Sequence, residues 1–393
     1  MWIVTLATGF WGFLLGIFSG VLSNPDYVNF PDVLLAMFDV RNRPLNWLNW
    51  LLLALSIVCT LAALALPRIV RSWRRKQSYE SVLIPILQRL KHESVLKFNV
   101  IAVDKAVTLQ KCPEIEKGWL ASEVNVNHKK INFQLPADLK NAYKDYYEKR
   151  FKKEFGEDGT TVMLLENPRA FTDQPMLVLN TEESYYSYAL FYWHCVAFDI
   201  ERRNKMFDSL FSKGKVLFPH NLCLHLVVVT ADDKILFTLR SEKVRVNANT
   251  WSCSIEEMLR PEDLKGKHAL AINRWAKRAL FEELGLCSNG YTDDNIRILS
   301  VFLEADRPNI SLVGLVTLGL NQRELSEIIA TLPRNDYEFT DVTFLSFQEM
   351  AEQLLRPTRS YHPTSRYRML MTLLHRLGEP NFALEFVKLF NSK

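Results

Sequence analysis

The sequence is poor in the features that define several common protein classes. Its six cysteines include no CxxC pair, so it has neither the usual zinc-ligand spacing nor a dense disulfide framework. The net charge is only +4, which gives no support for a nucleic-acid polymer as a partner. No low-complexity tract occurs, and 48% of the residues are hydrophobic, which excludes a fully disordered chain.

Charged side chains are almost absent from the first 66 residues. Residues 2–23 and 48–66 carry none, and each run is long enough as a helix to cross a hydrocarbon core of about 30 Å. No Lys or Arg precedes Arg41, whereas a cleaved signal peptide begins with a basic segment. The sequence therefore predicts a two-helix transmembrane hairpin over residues 1–66, with a short outward loop.

Basic residues cluster directly after the second run, with five cations between Arg68 and Lys76. The positive-inside rule places this cluster in the cytoplasm, beside membrane lipid, and a two-pass topology then places both termini there. Three glycines of the first run, Gly12, Gly16 and Gly20, form a stripe of small residues that suits helix packing. The stripe fits packing within the chain and equally association between protomers, so a homo-oligomer is one of two interpretations.

The rest of the chain divides into three parts by its pattern. Residues 67–97 predict a basic junction and an amphipathic spacer, and residues 98–214 predict an α+β region of unassigned fold. Between residues 215 and 380, strands and helices alternate, which is typical of a compact α/β sandwich. One helix is predicted from 268 to 284, where Gly285 provides a C-cap.

The segment from Arg278 to Leu286, RALFEELGL, carries the most chemical information in the chain. Its adjacent carboxylates, Glu282 and Glu283, lie at the end of the predicted helix and could hold Mg²⁺, which takes oxygen ligands. A metal ion in this place would shield phosphate charge and position water. The segment alone leaves open the alternative that both glutamates simply face solvent.

Together with the order of the surrounding elements, this segment resembles the Nudix superfamily, whose box reads G-x5-E-x7-R-E-U-x-E-E-x-G-U with U aliphatic. The resemblance covers about residues 215–378 and implies a Nudix-like α/β/α sandwich. In active members of the family, the glutamates of the E-x-x-E-E stretch ligate the metal. The positions that match are Arg278, Leu280, Glu282, Glu283, Gly285 and Leu286.

Three box positions depart from the family pattern, because Ala279 and Leu270 replace glutamates and Leu264 replaces the glycine. Ala279 removes one of the three ligands of the E-x-x-E-E stretch, and few ligands do not hold Mg²⁺ tightly. The resemblance with this loss implies a degenerate domain that binds a nucleotide rather than hydrolyses it and requires no cofactor. Mg²⁺ at Glu282 and Glu283 is the alternative.

A phosphorylated ligand calls for cationic side chains near aromatic ones. Arginine forks bind phosphate through two hydrogen bonds, and aromatic faces stack on bases. The segment 356–368 mixes four arginines with two tyrosines and a histidine. The predicted nucleotide-binding residues are Arg240, Arg278, Arg307, Arg359, His362 and Arg366.

The order of hairpin, basic junction, spacer and Nudix-like domain resembles the membrane-anchored effectors of bacterial cyclic-oligonucleotide (CBASS) anti-phage systems. The resemblance implies a two-pass protein of the bacterial inner membrane that binds a cyclic nucleotide second messenger and oligomerises. Its hairpins would then disrupt the membrane and stop growth. The alternative is a membrane-tethered hydrolase that cleaves a nucleoside diphosphate derivative with Mg²⁺, and a scaffold without a ligand is a third reading.

Overall fold

The computed structural model describes residues 102–171, 176–244, 247–266, 270–287, 290–332, 338–378 and 382. The predicted transmembrane helices, 2–23 and 48–66, and the spacer 67–97 lie outside these residues. Within the part of the chain that is described, no helix combines the length and the apolar character needed to cross a membrane.

The described elements alternate between strands and helices from residue 222 onward, as the sequence predicts. The strands are β1 (Ala102–Val103), β2 (Ala106–Lys111), β3 (Trp119–Leu120), β4 (Val124–Asn132), β5 (Thr160–Leu164), β6 (Arg169–Phe171), β7 (Met176–Tyr185), β8 (Cys223–Val229), β9 (Lys234–Arg240), β10 (Trp251–Ser252), β11 (Ile255–Met258), β12 (Ile296–Glu304), β13 (Asn309–Thr317) and β14 (Phe339–Ser346). The helices are α1 (Lys140–Tyr146), α2 (Lys152–Phe155), α3 (Tyr186–Phe191), α4 (Ile200–Lys213), α5 (Ala271–Leu284), α6 (Gln322–Thr331), α7 (Phe347–Leu355) and α8 (Ser365–Leu377).

A four-stranded sheet organises residues 124–185. Its order is β4-β7-β5, with β6 also pairing with β7. The β4–β7 pair is parallel, while β5 and β6 run antiparallel to β7. Aromatic contacts join the helical segments of this region to one another, such as Tyr143 of α1 with Tyr188 of α3 and Phe151 with Phe155 of α2. Residues 124–185 therefore combine a small mixed sheet with short helices.

A ten-stranded sheet forms the centre of the C-terminal region. The order β1-β2-β12-β13-β8-β9-β10 is continuous, and β3, β11 and β14 pair with β12, β8 and β9. β13 runs parallel to β8, whereas β12 runs antiparallel to both β13 and β2. The pairing of β2 with β12 means that residues 102–120, which fall in the predicted 98–214 region, contribute strands to the sheet of residues 215–380.

Side chains pack so closely around the central strands that one glycine position leaves little room for a side chain. An added Cβ at Gly314 on β13 would lie 2.9 Å from Leu224 Cδ1 and 3.0 Å from Leu226 Cδ1 of β8. Leu224 and Leu226 are fully buried. The dense packing on this face follows from the apolar run of β8, since a strand covered on both sides reads as nearly continuous hydrophobic residues.

The predicted helix that ends at Gly285 is confirmed as α5. Gly285 adopts a left-handed conformation (φ 67°) and donates its backbone N–H to the α5 carbonyls, which is the usual C-terminal cap. The helix buries Trp275, Ala276 and Leu280 completely. The apolar face of α5 therefore fixes the direction in which Arg278 and Glu282 project.

Candidate functional site

Arg278 on α5 is held by acidic groups from the loop that precedes the helix. Its Nε donates to Asp263 Oδ1 at 3.0 Å and its Nη2 donates to Asp263 Oδ2 at 2.7 Å. Nη2 also donates to the Met258 carbonyl at 2.7 Å, and Nη1 pairs with Glu257 Oε1 at 2.7 Å. Burial opposes the charged form, but Asp263 and Glu257 outweigh it and raise the pKa of Arg278. Arg278 thus ties α5 to β11 and to the 3₁₀ turn Pro261–Leu264.

Arg260 makes a second set of bonds to the same group of carboxylates. Its Nη1 donates to Glu282 Oε1 at 3.0 Å and its Nη2 donates to Glu282 Oε2 at 2.9 Å. Nη2 lies 3.3 Å from Glu257 Oε1, and Arg278 Nη1 donates to Glu282 Oε2 at 3.1 Å. We call Arg260, Arg278, Glu257, Asp263 and Glu282 the arginine–carboxylate cluster.

Glu283 follows Glu282 directly but has a different partner. Its carboxyl shares a hydrogen bond with the carboxyl of Glu338, which precedes β14. Two carboxyl groups can share such a bond only when one of them holds a proton. Burial raises the pKa of Glu283 well above its usual range, and the negative charges of Glu338 and Glu257 raise it further, while Arg240 opposes them.

The predicted Mg²⁺ ligands, Glu282 and Glu283, are therefore not arranged as a pair. Both oxygens of Glu282 accept hydrogen bonds from guanidinium groups, and Glu283 is bonded to another acid. Among the described residues, no group of three or more His, Cys, Asp or Glu side chains is arranged to hold a metal ion. The donor set in this arrangement does not fit Mg²⁺, which needs several free oxygen ligands.

A second group of charges lies inside the fold, on the other side of β11. Arg368 of α8 is fully buried, and its Nη1 donates to Ser252 Oγ at 3.1 Å and to the Cys253 carbonyl at 3.0 Å. Its Nη2 donates to Glu256 Oε1 and, at 2.9 Å, to Thr364 Oγ1. Every acceptor in this set is buried or nearly so, as buried guanidinium groups require.

Two histidines and a second glutamate complete this interior group. His225 lies 3.7 Å from Glu256 and 3.7 Å from Glu304, and His362 Nδ1 lies 3.5 Å from Glu256. Glu304 accepts hydrogen bonds from Asn309 Nδ2 and Ser311 Oγ, each at 3.0 Å. The members of this buried charge cluster are Arg368, Glu256, His225, His362 and Glu304.

Burial and charge act in opposite directions on the two glutamates of the buried charge cluster. Burial opposes ionisation of Glu256, but His362 and Arg368 outweigh it and hold the pKa of Glu256 well below its usual range. Burial also opposes ionisation of Glu304, but the hydrogen bond and charge of His225 lower its pKa to about 2. Burial lowers the pKa of His362 to about 3. The interior therefore holds ionised carboxylates beside a neutral His362.

Three of the six predicted nucleotide-binding residues, Arg278, His362 and Arg366, each have several structural partners. Arg278 belongs to the arginine–carboxylate cluster and His362 to the buried charge cluster. Arg366 donates to Asp104 Oδ1 at 2.8 Å and to the Leu354 carbonyl at 2.8 Å, so it ties α8 to α7 and to the β1–β2 turn. These contacts give each side chain a role in the fold, whether or not a ligand binds.

The other three predicted residues lie in different places. Arg307 is in the turn between β12 and β13. Arg240 is the last residue of β9, and its Nη1 lies 3.5 Å from Glu256 Oε2. The Arg359 guanidinium carbon lies 4.5 Å from the ring centre of Trp251. Arg359 Nη1 is buried and has no hydrogen-bond partner among the described residues. Trp251 pairs with Leu239, so Arg240 and Trp251 project from opposite faces of these strands.

Several residues of the two clusters were not among the predicted site residues. They are Glu256, Glu257, Arg260, Asp263, Arg368, His225 and Glu304, and Glu338, the partner of Glu283, was not predicted either. One signal could have found the first two: consecutive glutamates in a strand project to opposite faces, so one of them must point inward when helices cover both faces. Nothing local in the sequence distinguishes a buried arginine of α8 from a solvent-exposed one.

No family model matches the sequence, and no curated protein does. Among solved structures, a Nudix hydrolase from Alicyclobacillus acidocaldarius is similar at 12% identity and a TM-score of 0.31, covering 42% of this chain and 96% of that chain. The MutT protein from Methanosarcina mazei Go1 is similar at 14% identity and a TM-score of 0.25, covering 42% of this chain and 95% of that chain. A bifunctional NMN adenylyltransferase/ADP ribose pyrophosphatase from Francisella tularensis is similar at 20% identity and a TM-score of 0.26, covering 47% of this chain and 50% of that chain.

These identities limit the likeness to the fold, and the overall scores below 0.5 mean that it carries no argument about activity. The α/β organisation of the C-terminal region stands on its own elements. β8, β9 and β11 come before α5, β12 to β14 follow it, and α8 covers the face of β11 opposite α5. This order agrees with the Nudix-like sandwich that the sequence predicts.

Proposed function

We propose that the Nudix-like region binds a nucleotide without hydrolysing it. The observation that carries this proposal is the state of Glu282, whose two carboxylate oxygens accept three hydrogen bonds from Arg260 and Arg278. A carboxylate that is saturated by guanidinium groups is a poor ligand for Mg²⁺, and Ala279 has already removed a neighbouring one. A domain of this kind keeps the cleft but lacks the metal chemistry.

Arg359 is the predicted nucleotide-binding residue that fits contact with a ligand best. A guanidinium nitrogen that is buried without a partner carries a desolvation cost, which a phosphate oxygen would offset. The Arg359 guanidinium lies over the Trp251 ring, and this cation–π contact positions it. Arg278 and Arg366, in contrast, already have several acceptors each.

The wider role in this proposal is that of an anti-phage effector in the bacterial inner membrane. A cyclic nucleotide would bind the cytoplasmic region, favour an oligomer, and let the hairpin predicted over residues 1–66 disrupt the membrane and arrest growth. A ligand shifts such an equilibrium only by its difference in affinity between the two states. This part of the proposal rests on the uncharged runs and the basic junction of the sequence.

Hydrolysis with Mg²⁺ is the second candidate, and one observation favours it. Glu283 and Glu338 are brought together although both are acids, and Glu257 lies near enough to raise the pKa of Glu283. A divalent cation would relieve this repulsion between carboxyl groups. The second candidate therefore places the metal between Glu283 and Glu338, whereas the sequence motif alone places it at Glu282 and Glu283.

One experiment separates the two candidates. Purified full-length protein is incubated with a panel of cyclic and linear nucleotides, with and without Mg²⁺, and both binding and products are measured. We expect saturable binding of a cyclic ligand, no product, and weaker binding by Arg359→Ala. Turnover of a linear substrate that Glu283→Gln abolishes would instead establish the hydrolase.

A further inference from the structure

Arg260 holds carboxylates from two separate elements in one place. Glu257 comes from β11 and Glu282 from α5, and the Arg260 guanidinium bonds to both, at 3.3 Å and at 2.9 to 3.0 Å. Drawing oxygens from separate elements around one positive centre is what a bound divalent cation does in a protein. Because the guanidinium uses both oxygens of Glu282, a metal ion would have to compete for the same atoms.

We propose that Arg260 is a built-in replacement for a divalent cation at Glu282 and keeps this site closed to metal ions. This inference rests on the proposed function, because it explains how a Nudix-like domain that does not hydrolyse its ligand could keep its fold without a metal ion. The test needs no nucleotide, so it can fail or succeed separately from the proposal of ligand binding.

Arg260 and Arg278 differ in how firmly the fold holds them. Arg278 has only 16% of its side chain exposed and is fixed by Asp263 and the Met258 carbonyl, so it is a structural member of the cluster. The Arg260 side chain is 45% exposed and, within the described part of the chain, bonds only to Glu257 and Glu282, while its backbone N–H is held separately by Asp263. Arg260 can therefore be replaced without leaving a buried charge unpaired.

Removing Arg260 changes the charge balance of the cluster. Three carboxylates face two guanidinium groups in the intact protein, and they would face only one in Arg260→Ala. The substitution also takes away a positive charge that would repel an incoming cation and frees Glu282 Oε1 from its only described partner. Both changes favour a divalent cation, by about tenfold in affinity or more if the removed charge lay some 6 Å from the ion.

Mn²⁺ is the probe, because its free and bound forms are distinguished by electron paramagnetic resonance. Full-length wild-type protein, Arg260→Ala, and the double variant Arg260→Ala/Glu282→Gln are titrated without nucleotide. The matched control is Arg169→Ala, which breaks an exposed ion pair with Glu166 (2.7 Å) in the other sheet. We expect Arg260→Ala to bind Mn²⁺ about tenfold more tightly than wild type, and both the double variant and the control to match wild type.

Two results would overturn the proposal. The first is a wild-type protein that binds Mn²⁺ as tightly as Arg260→Ala and loses this binding in Glu282→Gln. The second is a folded Arg260→Ala, with the circular dichroism of wild type, that gains no Mn²⁺ affinity. If Arg260→Ala does not fold, Arg260→Gln is titrated under the same two criteria, since its amide can still bond to Glu282.

Discussion

Glu256 and Glu257 are neighbours on β11 but belong to different groups of charges. Glu256 faces the interior and bonds to Arg368, whose side chain is fully buried. Glu257 faces α5 and bonds to Arg278 and to Arg260, whose side chain is 45% exposed. The chemistry is the same on both sides, but water reaches Arg260 and Glu282 of the arginine–carboxylate cluster far more than it reaches Arg368. The comparison separates charges that hold the fold together from charges that lie at the candidate site.

The largest change in the free energy of unfolding is expected at Arg368, which is the fully buried arginine of the comparison. Arg368→Met would remove the closer of the two guanidinium partners of Glu256 and leave Arg240 at 3.5 Å, and breaking a buried pair costs up to about 3 to 5 kcal/mol. The free energy of unfolding from urea titration measures this loss. The double variant Arg368→Met/Glu256→Gln removes the uncompensated charge as well, so it should recover much of the stability.

The comparison would break if Arg368→Met behaved like the loss of a surface ion pair. If the free energy of unfolding decreased by less than about 1 kcal/mol, solvent would have to reach Glu256 and compensate its charge. The comparison would also fail if the double variant were no more stable than the single one, because the cost would then lie in lost packing rather than in the unpaired carboxylate.

The two groups also differ in how far the sequence predicts them. Glu282, Arg278 and the helix that ends at Gly285 follow from a local pattern, and the structure confirms α5. Arg368 does not, because its burial depends on Glu256, which lies 112 positions earlier in the chain and reaches it only through the sheet. The addition of β2 to the sheet is equally non-local, since it pairs with β12. Local periodicity predicts elements, whereas the partners of a buried charge depend on the tertiary fold.

The predicted metal pair shows the limit of a motif in the same way. Adjacent glutamates in a helix project about 100° apart, so Glu282 and Glu283 reach different neighbours. Which neighbours these are depends on Arg260 in the loop after β11 and on Glu338 before β14. The spacing within the box gives no information about Arg260 or Glu338. The sequence therefore identifies the two glutamates but not their hydrogen-bond partners or protonation.

An intermediate effect is expected from acid, and it should come from the buried charge cluster. His362 is neutral in the fold, where Nδ1 accepts a hydrogen bond from the Thr364 N–H, and its pKa is lowered from 6.5 to about 3. The unfolded chain therefore takes up a proton that the folded chain does not, and stability is lost as the pH falls from 6.5 toward 3. Glu304, with its pKa lowered from 4.5 to about 2, adds a loss as the pH falls from 4.5 toward 2.

Urea titrations at pH 7, 5.5 and 4.5 measure this dependence. The slope from His362 alone can reach about 1.4 kcal/mol for each pH unit within its window. His362→Gln cannot take up the proton, so its stability should vary less between pH 6.5 and 4.5. An unchanged slope in His362→Gln would assign the acid sensitivity to other groups and remove this distinction between the two clusters.

The smallest effect is expected at Glu282, although it lies at the centre of the sequence motif. Its side chain is 38% exposed, so solvent screens its ion pairs with Arg260 and Arg278. Glu282→Gln keeps the shape and one accepting oxygen, and it should lower the free energy of unfolding by less than about 1 kcal/mol. Glu257→Gln is the matched variant, because its carboxylate bonds to the same two arginines with only 10% of its side chain exposed. If Glu282→Gln lowered the free energy of unfolding as much as Glu257→Gln, the exposed ion pairs of Glu282 would also stabilise the fold. Exposure would then not separate the stabilising charges from those of the candidate site.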